Sequence, residues 1–314
     1  MSAPRRARVS AFAKINLDLR VLGKRPDGYH ELRTVFQTIS LADTIEVAFS
    51  PARATRIEVA GAPEVPDRDN LAVKAAALAL DVIRRTGHVA LRLTKRIPMG
   101  AGLGGGSADA AAVLLALPVL AGGHGEPGDL LRAAAELGSD VPFFLLGGAA
   151  IGVGRGTELY PLPDLAARHG LLATPGVHSS TAAAYRALDA GLTTEAQQNK
   201  IFSFQSQAWA GVWDRPQNDF EGVVFRQHPE LARWKRRLAE AGARPAMMTG
   251  SGSALFGLFR SREEAARALK SLGEESVFPI TLVSRARYRS LWRRRLKAHM
   301  IESEVWPPQS RYAR

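Results

Sequence analysis

Residues 98–111 read PMGAGLGGGSADAA, and this stretch decides the fold of the chain. Five of the seven residues from Gly100 to Gly106 are glycine, although each glycine loses much conformational entropy when it is ordered. Without side chains, successive backbone N–H groups can turn toward one concavity, and a helix beginning near Ser107 adds unpaired donors and its positive dipole end. The stretch is predicted to bind phosphate, because a tight turn between helix and sheet explains one or two glycines but not five.

Patterns before this loop predict a strand that leads into it. Val89–Thr94 alternates apolar and polar residues, which indicates a strand, and Asn70 begins an alanine-rich helix predicted to run to about Arg85. Nearer the N-terminus, every odd position from Val9 to Val21 is apolar, the period of a half-buried strand. The opposite face of that strand carries three polar side chains: Lys14, Asn16 and Asp18.

The remaining segments predict an antiparallel N-terminal sheet followed by mixed helices and strands. Residues 23–31, GKRPDGYHE, form a predicted loop, and Leu32–Leu41 and Thr44–Phe49 are two predicted strands. Residues 138–154 are predicted to lead into an apolar strand, and the Gln- and Ser-rich stretch after residue 190 is a predicted loop. Further elements are predicted at Asp129–Leu137, Leu171–Thr174, from Thr181, at Asp219–Arg226, Glu230–Ala241, Arg262–Leu272 and Val277–Val283.

Three common nucleotide-binding motifs do not account for the loop. Gly100, Gly102 and Gly105 fit the dinucleotide pattern G-x-G-x-x-G, but a Rossmann unit needs a second parallel strand about twenty residues on, and here another helix follows. The pattern G-x-x-x-x-G-K-[ST] is absent from the sequence, and so are the HRD and DFG signals of protein kinases. A nicotinamide-dependent enzyme therefore remains only a distant alternative.

Composition and charge bound the class of protein. The 314 residues are 46% hydrophobic, enough for a sizeable core, and contain no cysteine, so no disulfide or cysteine nucleophile is available. We expect a cytoplasmic protein without a membrane span. Residues 284–314 hold nine Lys or Arg against two Glu, or +7 of the net +12. This tail is predicted to be a solvated, partly helical or frayed extension, and RNA binding through it is the alternative.

With these patterns in place, the chain resembles the GHMP kinases, a superfamily of small-molecule kinases. The glycine loop carries the resemblance, and it is joined by AKINLDLRVLGKRPDGYHEL (13–32), GSDVPFFL (138–145), NDFE (218–221) and MTGSGSALFGLF (248–259). Together these motifs resemble the branch whose acceptor alcohol carries cytidine diphosphate. The resemblance implies an α+β, two-lobed GHMP kinase fold with the active-site cleft between the lobes, divided as 1–155, 156–285 and a basic tail, 286–314.

The resemblance also implies a set of functional residues. Asp140 would accept the proton of the acceptor hydroxyl, with Lys14 beside it as the cation that keeps the carboxylate ionised. ATP and Mg²⁺ are the implied cofactors, with no dedicated protein cage for the metal. The implied cofactor-binding residues are Asn70, Pro98, Met99, Gly100, Ala101, Gly102, Leu103, Gly104, Gly105, Gly106, Ser107 and Ala108. The implied substrate-binding residues are Asn16, Tyr29, His30, Thr181 and Tyr185.

Each of these residues also has a purely structural interpretation. Asp140 can cap a helix, Lys14 can be a solvated strand lysine, and Tyr185 can be a core residue. The Tyr29 and His30 loop can merely cover a sheet edge. We interpret Asp18 as structural, Asp109 as a complement to the helix dipole, and the turn Gly250, Ser251, Gly252 and Ser253 as a support at the cleft.

Three functions stay open at this point. The favoured one is an ATP-dependent kinase for a small cytidyl alcohol, a monomer or weak homodimer without nucleic acid or membrane partners. A GHMP kinase for another alcohol, of the homoserine or mevalonate type, would lack the cytosine reader formed by Tyr29, His30 and Tyr185. A basic RNA-binding protein would depend on residues 284–314, whereas the kinase would keep most of its activity without them.

Overall fold

The fold is organised around two long antiparallel strands, β1 (Arg5–Lys24) and β2 (His30–Pro51). The structure is a computed structural model that describes residues 3–61, 65–166, 168–189, 194–210, 216–273 and 276–313. The apolar period of β1 forms the predicted strand, but Ala11–Leu22 is buried on both faces rather than half-buried. Register shifts after Phe12 and Asn16 let this one strand contact three apolar clusters in turn.

The N-terminal sheet has the order β3-β4-β2-β5-β6, with β1 paired to β2. All its pairs are antiparallel, as predicted, except the parallel pair β3–β4. Its other strands are β3 (Arg56–Ala60), β4 (Gly87–Thr94), β5 (Ala149–Gly154) and β6 (Glu158–Pro161). Its helices are α1 (Leu71–Val82), α2 (Gly105–Ala121), α3 (Pro127–Leu137) and α4 (Val141–Leu146).

A second sheet of four antiparallel strands has the order β10-β7-β9-β8. The strands are β7 (His169–Ala173), β8 (Ala246–Met248), β9 (Leu255–Phe259) and β10 (Val277–Thr281). The accompanying helices are α5 (Thr181–Asp189), α6 (Thr194–Ala210), α7 (Glu221–Gln227), α8 (Pro229–Glu240) and α9 (Arg262–Leu272). Within the described residues, no helix combines the length and apolar character needed to cross a membrane.

Three local predictions differ from the structure. The two strands predicted at Leu32–Leu41 and Thr44–Phe49 are one continuous strand, β2, because it pairs along its length with β1. The apolar run Val141–Leu146 is a helix before the strand begins. The polar stretch predicted as a loop contains α6, whose charged and amide side chains disguise the helix. In the first case strand pairing outweighs the local sequence signal for a break. In the other two, the apolar run and the polar composition hide the helical propensity of the segments.

The basic C-terminal segment is part of the N-terminal core, which corrects its prediction as a solvated or frayed tail. Helix α10 (Arg285–Leu296) places Tyr288, Trp292 and Leu296 in the same apolar cluster as α2. The Tyr288 hydroxyl donates to the Phe144 carbonyl. Arginines occupy the outer face of α10, and their number masked the apolar stripe at every fourth position. The prediction that activity survives removal of residues 284–314 therefore has no structural support, whereas the boundaries at 155 and 285 stay predictions.

Candidate active site

A cavity of about 760 Å³ is lined by the predicted catalytic residues Lys14 and Asp140 and by the predicted substrate-binding residues. Residues of β1, of the glycine loop and of α5 line it together. A second cavity, of about 420 Å³, is lined by the whole glycine loop and by residues of β4, α1 and α2 near it. Gly102, Gly104 and Ser107 line both cavities, so the two cavities share the glycine loop as a common wall.

The glycine loop adopts backbone conformations that favour glycine. Gly100, Gly102 and Gly104 have φ values of 68°, 77° and 72°, in the left-handed region where other side chains are strained. Gly104 is the last residue before α2, and its carbonyl accepts from the Ala108 N–H at 2.8 Å. The loop thus ends at a helix N-terminus, the geometry that binds phosphate groups.

The loop is also held by close packing against the turn at 249–252. A Cβ atom added to Gly102 would lie 2.4 Å from the Thr249 carbonyl oxygen, so no larger residue fits there. The Ala254 N–H donates to the Ala101 carbonyl at 3.2 Å, and the Lys14 N–H donates to the Leu103 carbonyl at 3.1 Å. The turn of small residues therefore supports the loop, in agreement with its predicted role.

Lys14 and Asp140 lie side by side in the larger cavity. The Lys14 Nζ atom is 3.5 Å from Asp140 Oδ2. Lys14 is buried, so its charge needs a partner, whereas the Asp140 side chain is 35% exposed toward the cavity. Asp140 directly precedes α4 but forms no capping hydrogen bond among the described residues, which argues against its structural interpretation.

Asn16 fixes the position of Lys14. Its Oδ1 atom accepts from Lys14 Nζ at 2.8 Å, from the Gly250 N–H at 3.0 Å and from the Thr249 hydroxyl at 3.2 Å. Its Nδ2 donates to Thr34 Oγ1 at 2.8 Å. Asn16 lines the cavity as predicted for a substrate-binding residue, but its amide also connects β1 to the turn at 249–252.

Aromatic residues form part of the wall of the larger cavity. The rings of His30 and Tyr185 stack with centroids 4.4 Å apart, and Phe220 meets Tyr185 edge to face at 4.8 Å. Burial, with a smaller contribution from the negative charge of Asp140, raises the pKa of Tyr185 to about 12. Tyr29 is half exposed, and the Arg155 guanidinium lies 3.9 Å from its ring centre. Arg155 and Phe220 are not among the predicted site residues; Phe220 belongs to the motif NDFE (218–221), but no local pattern places either side chain at the cavity.

Thr181 also lies at the larger cavity. Its hydroxyl and that of Ser251 are 2.8 Å apart, and the Ser179 hydroxyl donates to the Ser251 carbonyl at 3.1 Å. These bonds tie the start of α5 to the small-residue turn. Thr181 and Tyr185, four residues apart on α5, both line the cavity, as their spacing predicts.

Asp109 is part of a buried ionic network rather than a simple complement to the helix dipole. Its Oδ2 atom is 2.5 Å from Lys95 Nζ, and Lys95 also contacts the carboxylate of Asp43. Burial is the largest influence on Asp109, and, despite the opposing charge of Lys95, its pKa is raised to about 7. Its Oδ1 atom has no hydrogen-bond partner within the described parts of the chain. The sequence does not predict this network, because Asp43, Lys95 and Asp109 are far apart along the chain.

Asp18 has the structural role predicted for it. Its carboxylate forms a bidentate pair with Arg20, at 2.7 and 3.0 Å, and accepts from the Gln217 N–H at 3.0 Å. Both charged groups are buried. Burial raises the pKa of Asp18, although Arg20 opposes the shift. The pair connects β1 to the segment before α7 and stands apart from the Asp140 carboxylate.

Nearly all the predicted nucleotide residues line one of the two cavities. Asn70 lines the smaller one, but its side chain is also used to cap α1, accepting from the Ala72 N–H at 3.0 Å. Ala108 lines neither cavity, because it is buried within α2 behind the loop. The smaller cavity is lined by Pro98, Met99, Gly100, Ala101, Gly102, Leu103, Gly104, Gly105, Gly106 and Ser107.

The site offers few oxygen ligands for a divalent cation. No cluster of three or more His, Asp or Glu suited to a metal occurs in the part of the chain that the structure describes. The Ser107 hydroxyl and the Asp140 carboxylate line the same cavity, and such hard oxygen donors fit Mg²⁺ when phosphate oxygens supply the remaining ligands. The residues present are therefore compatible with Mg²⁺ carried by a nucleotide.

Comparison with known proteins defines the class. Residues 70–148 match the family model described as the GHMP kinases N-terminal domain, and residues 207–276 match the GHMP kinases C-terminal model. The crystal structure of a homoserine kinase from Cytophaga hutchinsonii superposes with a TM-score of 0.69 at 20% identity, covering 90% of this chain and 96% of that one, which shows a shared fold. The chain is a GHMP kinase, and its α+β, two-lobed fold is confirmed.

Closer relatives define the family within that class. The 4-diphosphocytidyl-2-C-methyl-D-erythritol kinase of Solibacter usitatus is 61% identical over 99% of both chains. That of Moorella thermoacetica is 42% identical, over 88% of this chain and 97% of its own. A crystal structure of 4-(cytidine 5'-diphospho)-2C-methyl-D-erythritol kinase superposes with a TM-score of 0.72 at 38% identity, covering 88% of this chain and 98% of that one. The chain belongs to the 4-diphosphocytidyl-2-C-methyl-D-erythritol kinases.

Proposed function

We propose that the protein transfers the γ-phosphoryl group of ATP to the 2-hydroxyl of 4-diphosphocytidyl-2-C-methyl-D-erythritol, a step of the non-mevalonate route to isoprenoid precursors. One observation carries the proposal. Lys14 and Asp140 lie 3.5 Å apart in a cavity whose walls include both the glycine loop and the aromatic group His30 and Tyr185. Phosphate binding, hydroxyl activation and base recognition thus meet in one space.

The Lys14 and Asp140 pair is proposed to activate the acceptor hydroxyl. Asp140 accepts the hydroxyl proton as the oxygen attacks the γ-phosphorus, while the bond to the β,γ-bridging oxygen breaks and ADP leaves. Lys14 lowers the energy of the developing negative charge and holds the carboxylate in place through its own bond to Asn16. The glycine loop faces the phosphates with its backbone N–H groups, and Gly102, Gly104 and Ser107 share the larger cavity with Lys14 and Asp140, so the γ-phosphate and the hydroxyl meet there.

The aromatic end of the cavity is proposed to recognise cytosine. One face of Tyr29 is covered by Arg155 and one face of Tyr185 by His30, so the base would stack on the opposite face of either ring. Edge hydrogen bonds from His30 would distinguish cytosine from other ring systems. Asn16, which is bonded to Lys14, and Thr181, in the wall of the same cavity, would contact the acceptor alcohol.

Mg²⁺ is proposed to enter with ATP. It would neutralise charge on the β- and γ-phosphates, and Ser107 is the hydroxyl placed to contribute a ligand. We further propose a cytoplasmic enzyme, monomeric or weakly dimeric, whose partners are small molecules rather than nucleic acid or membrane. The packing of α10 into the core supports this view, since it gives the basic segment a structural role.

A direct assay tests the proposal. The purified protein is given ATP and Mg²⁺ with the cytidyl acceptor, homoserine or mevalonate in parallel, and ADP release and the phosphorylated product are measured. We expect turnover with the cytidyl acceptor alone. Phosphorylation of only a non-nucleotide alcohol would refute the acceptor assignment while leaving the kinase class intact.

A further inference from the structure

A partly buried lysine stands between two buried carboxyl groups beside the glycine loop. Lys95 is the first residue after β4, Asp43 belongs to β2, and Asp109 lies near the start of α2. The Lys95 ammonium contacts both carboxylates, and the distance to Asp109 Oδ2 is 2.5 Å. Both acids are buried, whereas one fifth of the lysine side chain is exposed. Placing an ammonium group and two carboxyl groups out of water is unfavourable unless they hold a particular arrangement.

The network joins the two ends of the loop. Asp43 Oδ1 accepts from the Arg96 N–H at 2.5 Å and from the Ile97 N–H at 2.8 Å, which fixes the segment that enters the loop. Asp109 belongs to the helix that leaves it. Lys95 connects the entry and the exit through one ammonium group.

The packing around this network leaves little room for movement. A Cβ atom added to Gly105 would lie 3.1 Å from Ile97 Cγ2 and 3.7 Å from Asp43 Oδ2. Lys95 and Asp109 line the smaller cavity, on the nucleotide side of the loop, and do not line the larger one. Displacement of Lys95 or Asp109 would therefore alter the nucleotide side of the loop before the acceptor side.

We propose that Lys95, held between Asp43 and Asp109, is a positioning residue that fixes both ends of the glycine loop and thereby sets the affinity for the nucleoside triphosphate. The inference rests on the proposed function only in taking the loop as the triphosphate site. It does not depend on which alcohol is phosphorylated. The network acts through the loop backbone, because the loop amides must face the phosphates without rearranging when the nucleotide binds.

The test compares Lys95→Met with Lys74→Met, which removes the same charge from an exposed position on α1. The measurements are the Kd of a non-hydrolysable ATP analogue and the KM values for ATP and acceptor. Lys95→Met is expected to weaken nucleotide binding by about tenfold to hundredfold, because a small misplacement of aligned groups is costly. The acceptor KM should stay within about twofold, and Lys74→Met should match the wild type.

Two conservative variants keep the proposal testable if Lys95→Met does not fold. Lys95→Arg retains the charge and should restore most of the nucleotide affinity, and Asp109→Asn should weaken it less than Lys95→Met because Asp43 remains. A folded Lys95→Met or Asp109→Asn protein with wild-type analogue affinity, or equal losses for nucleotide and acceptor, would overturn the positioning role. Turnover of the wild-type protein with a different alcohol would refute the proposed function alone.

Discussion

The proposed nucleotide side and the proposed acceptor side of the cleft are built from different parts of the polypeptide. The nucleotide side is mainly backbone, with three glycines in left-handed conformations and a loop held by buried groups. The acceptor side is made of side chains, among them the half-exposed Tyr29 and the stacked rings of His30 and Tyr185. Backbone amides recognise phosphate in any nucleotide, whereas side chains distinguish one alcohol from another.

This difference explains how one fold serves several acceptors. A change of side chain on the acceptor side leaves the loop and its support unchanged, so the phosphate chemistry persists. A change in the loop weakens nucleotide binding whichever alcohol is the acceptor, because the same backbone faces the phosphates. Asp140 and Lys14 stand where the two sides meet, and their removal should have the largest effect of all.

Asp140→Asn should lower kcat by about 10²- to 10⁴-fold, because the amide keeps the shape of the carboxylate but cannot take up the hydroxyl proton. The KM for ATP should change little, since the glycine loop is untouched. Steady-state kinetics with both substrates varied would measure the two effects. A variant with the wild-type rate would remove Asp140 from the role of base.

Gly102→Ala should produce the next largest effect and should act on the nucleotide side. The added methyl group would lie 2.4 Å from the Thr249 carbonyl oxygen at a φ of 77°, so the loop must leave its place against the turn. Steric strain of roughly 1–3 kcal/mol corresponds to a fall in kcat/KM for ATP of about fivefold to more than a hundredfold.

Gly128→Ala is the matched control, because Gly128 lies in α3 with ordinary helical geometry and its added methyl group meets only Arg132 at 3.6 Å. It should leave both KM values unchanged. If Gly102→Ala behaved like this control, the close approach of the loop to the turn would not matter for nucleotide binding.

The two sides also differ in how much of them the sequence predicts. The glycine loop is recognisable because its function needs consecutive residues of one type, and the start of the helix at Asn70 follows from local capping. The pairing of Lys14 with Asp140 came from the family resemblance alone, because 126 positions separate them. Arg155 contacts Tyr29 from the turn between β5 and β6, and no local sequence pattern predicts this contact.

The missed parts share a physical cause. The many arginines of α10 predict a solvated segment. However, Tyr288, Trp292 and Leu296 recur every four residues on one face and pack into the core. The network of Lys95, Asp43 and Asp109 depends on the folded arrangement of β2, β4 and α2. Local sequence predicts elements and loops, but partners across the fold require the tertiary structure.

Tyr29→Ala should act on the acceptor side alone. Loss of one stacked base contact is worth roughly 1–3 kcal/mol, so the KM for the cytidyl acceptor should rise by about fivefold to more than a hundredfold. Tyr29→Phe keeps the ring and should retain the wild-type KM. A rise in the KM for ATP, with no change in the KM for the acceptor, would show that Tyr29 belongs to the nucleotide side of the cleft.

Arg155→Ala should have the smallest effect, because Arg155 acts through the loop that carries Tyr29. Its guanidinium lies over the Tyr29 ring and pairs with Asp27 at 2.7 Å, while Asp27 Oδ1 accepts from the Tyr29 N–H at 3.0 Å. The hydrogen bond from Arg155 is the largest influence on Asp27, and together with the bond from the Tyr29 N–H it lowers the pKa of Asp27 to about 2. Asp27 and Arg155 are therefore both charged at neutral pH.

Both partners of this pair are exposed to solvent, so salt screens their attraction and the KM for the acceptor should rise only about two- to fivefold in Arg155→Ala. High salt should raise the acceptor KM of the wild type toward that of the variant and leave the variant nearly unchanged. Arg132→Ala, which removes an exposed arginine of α3 paired with Asp129, should show neither effect. A salt response of equal size in wild type and Arg155→Ala would place the screened charges elsewhere and leave Tyr29 to be positioned by its own loop.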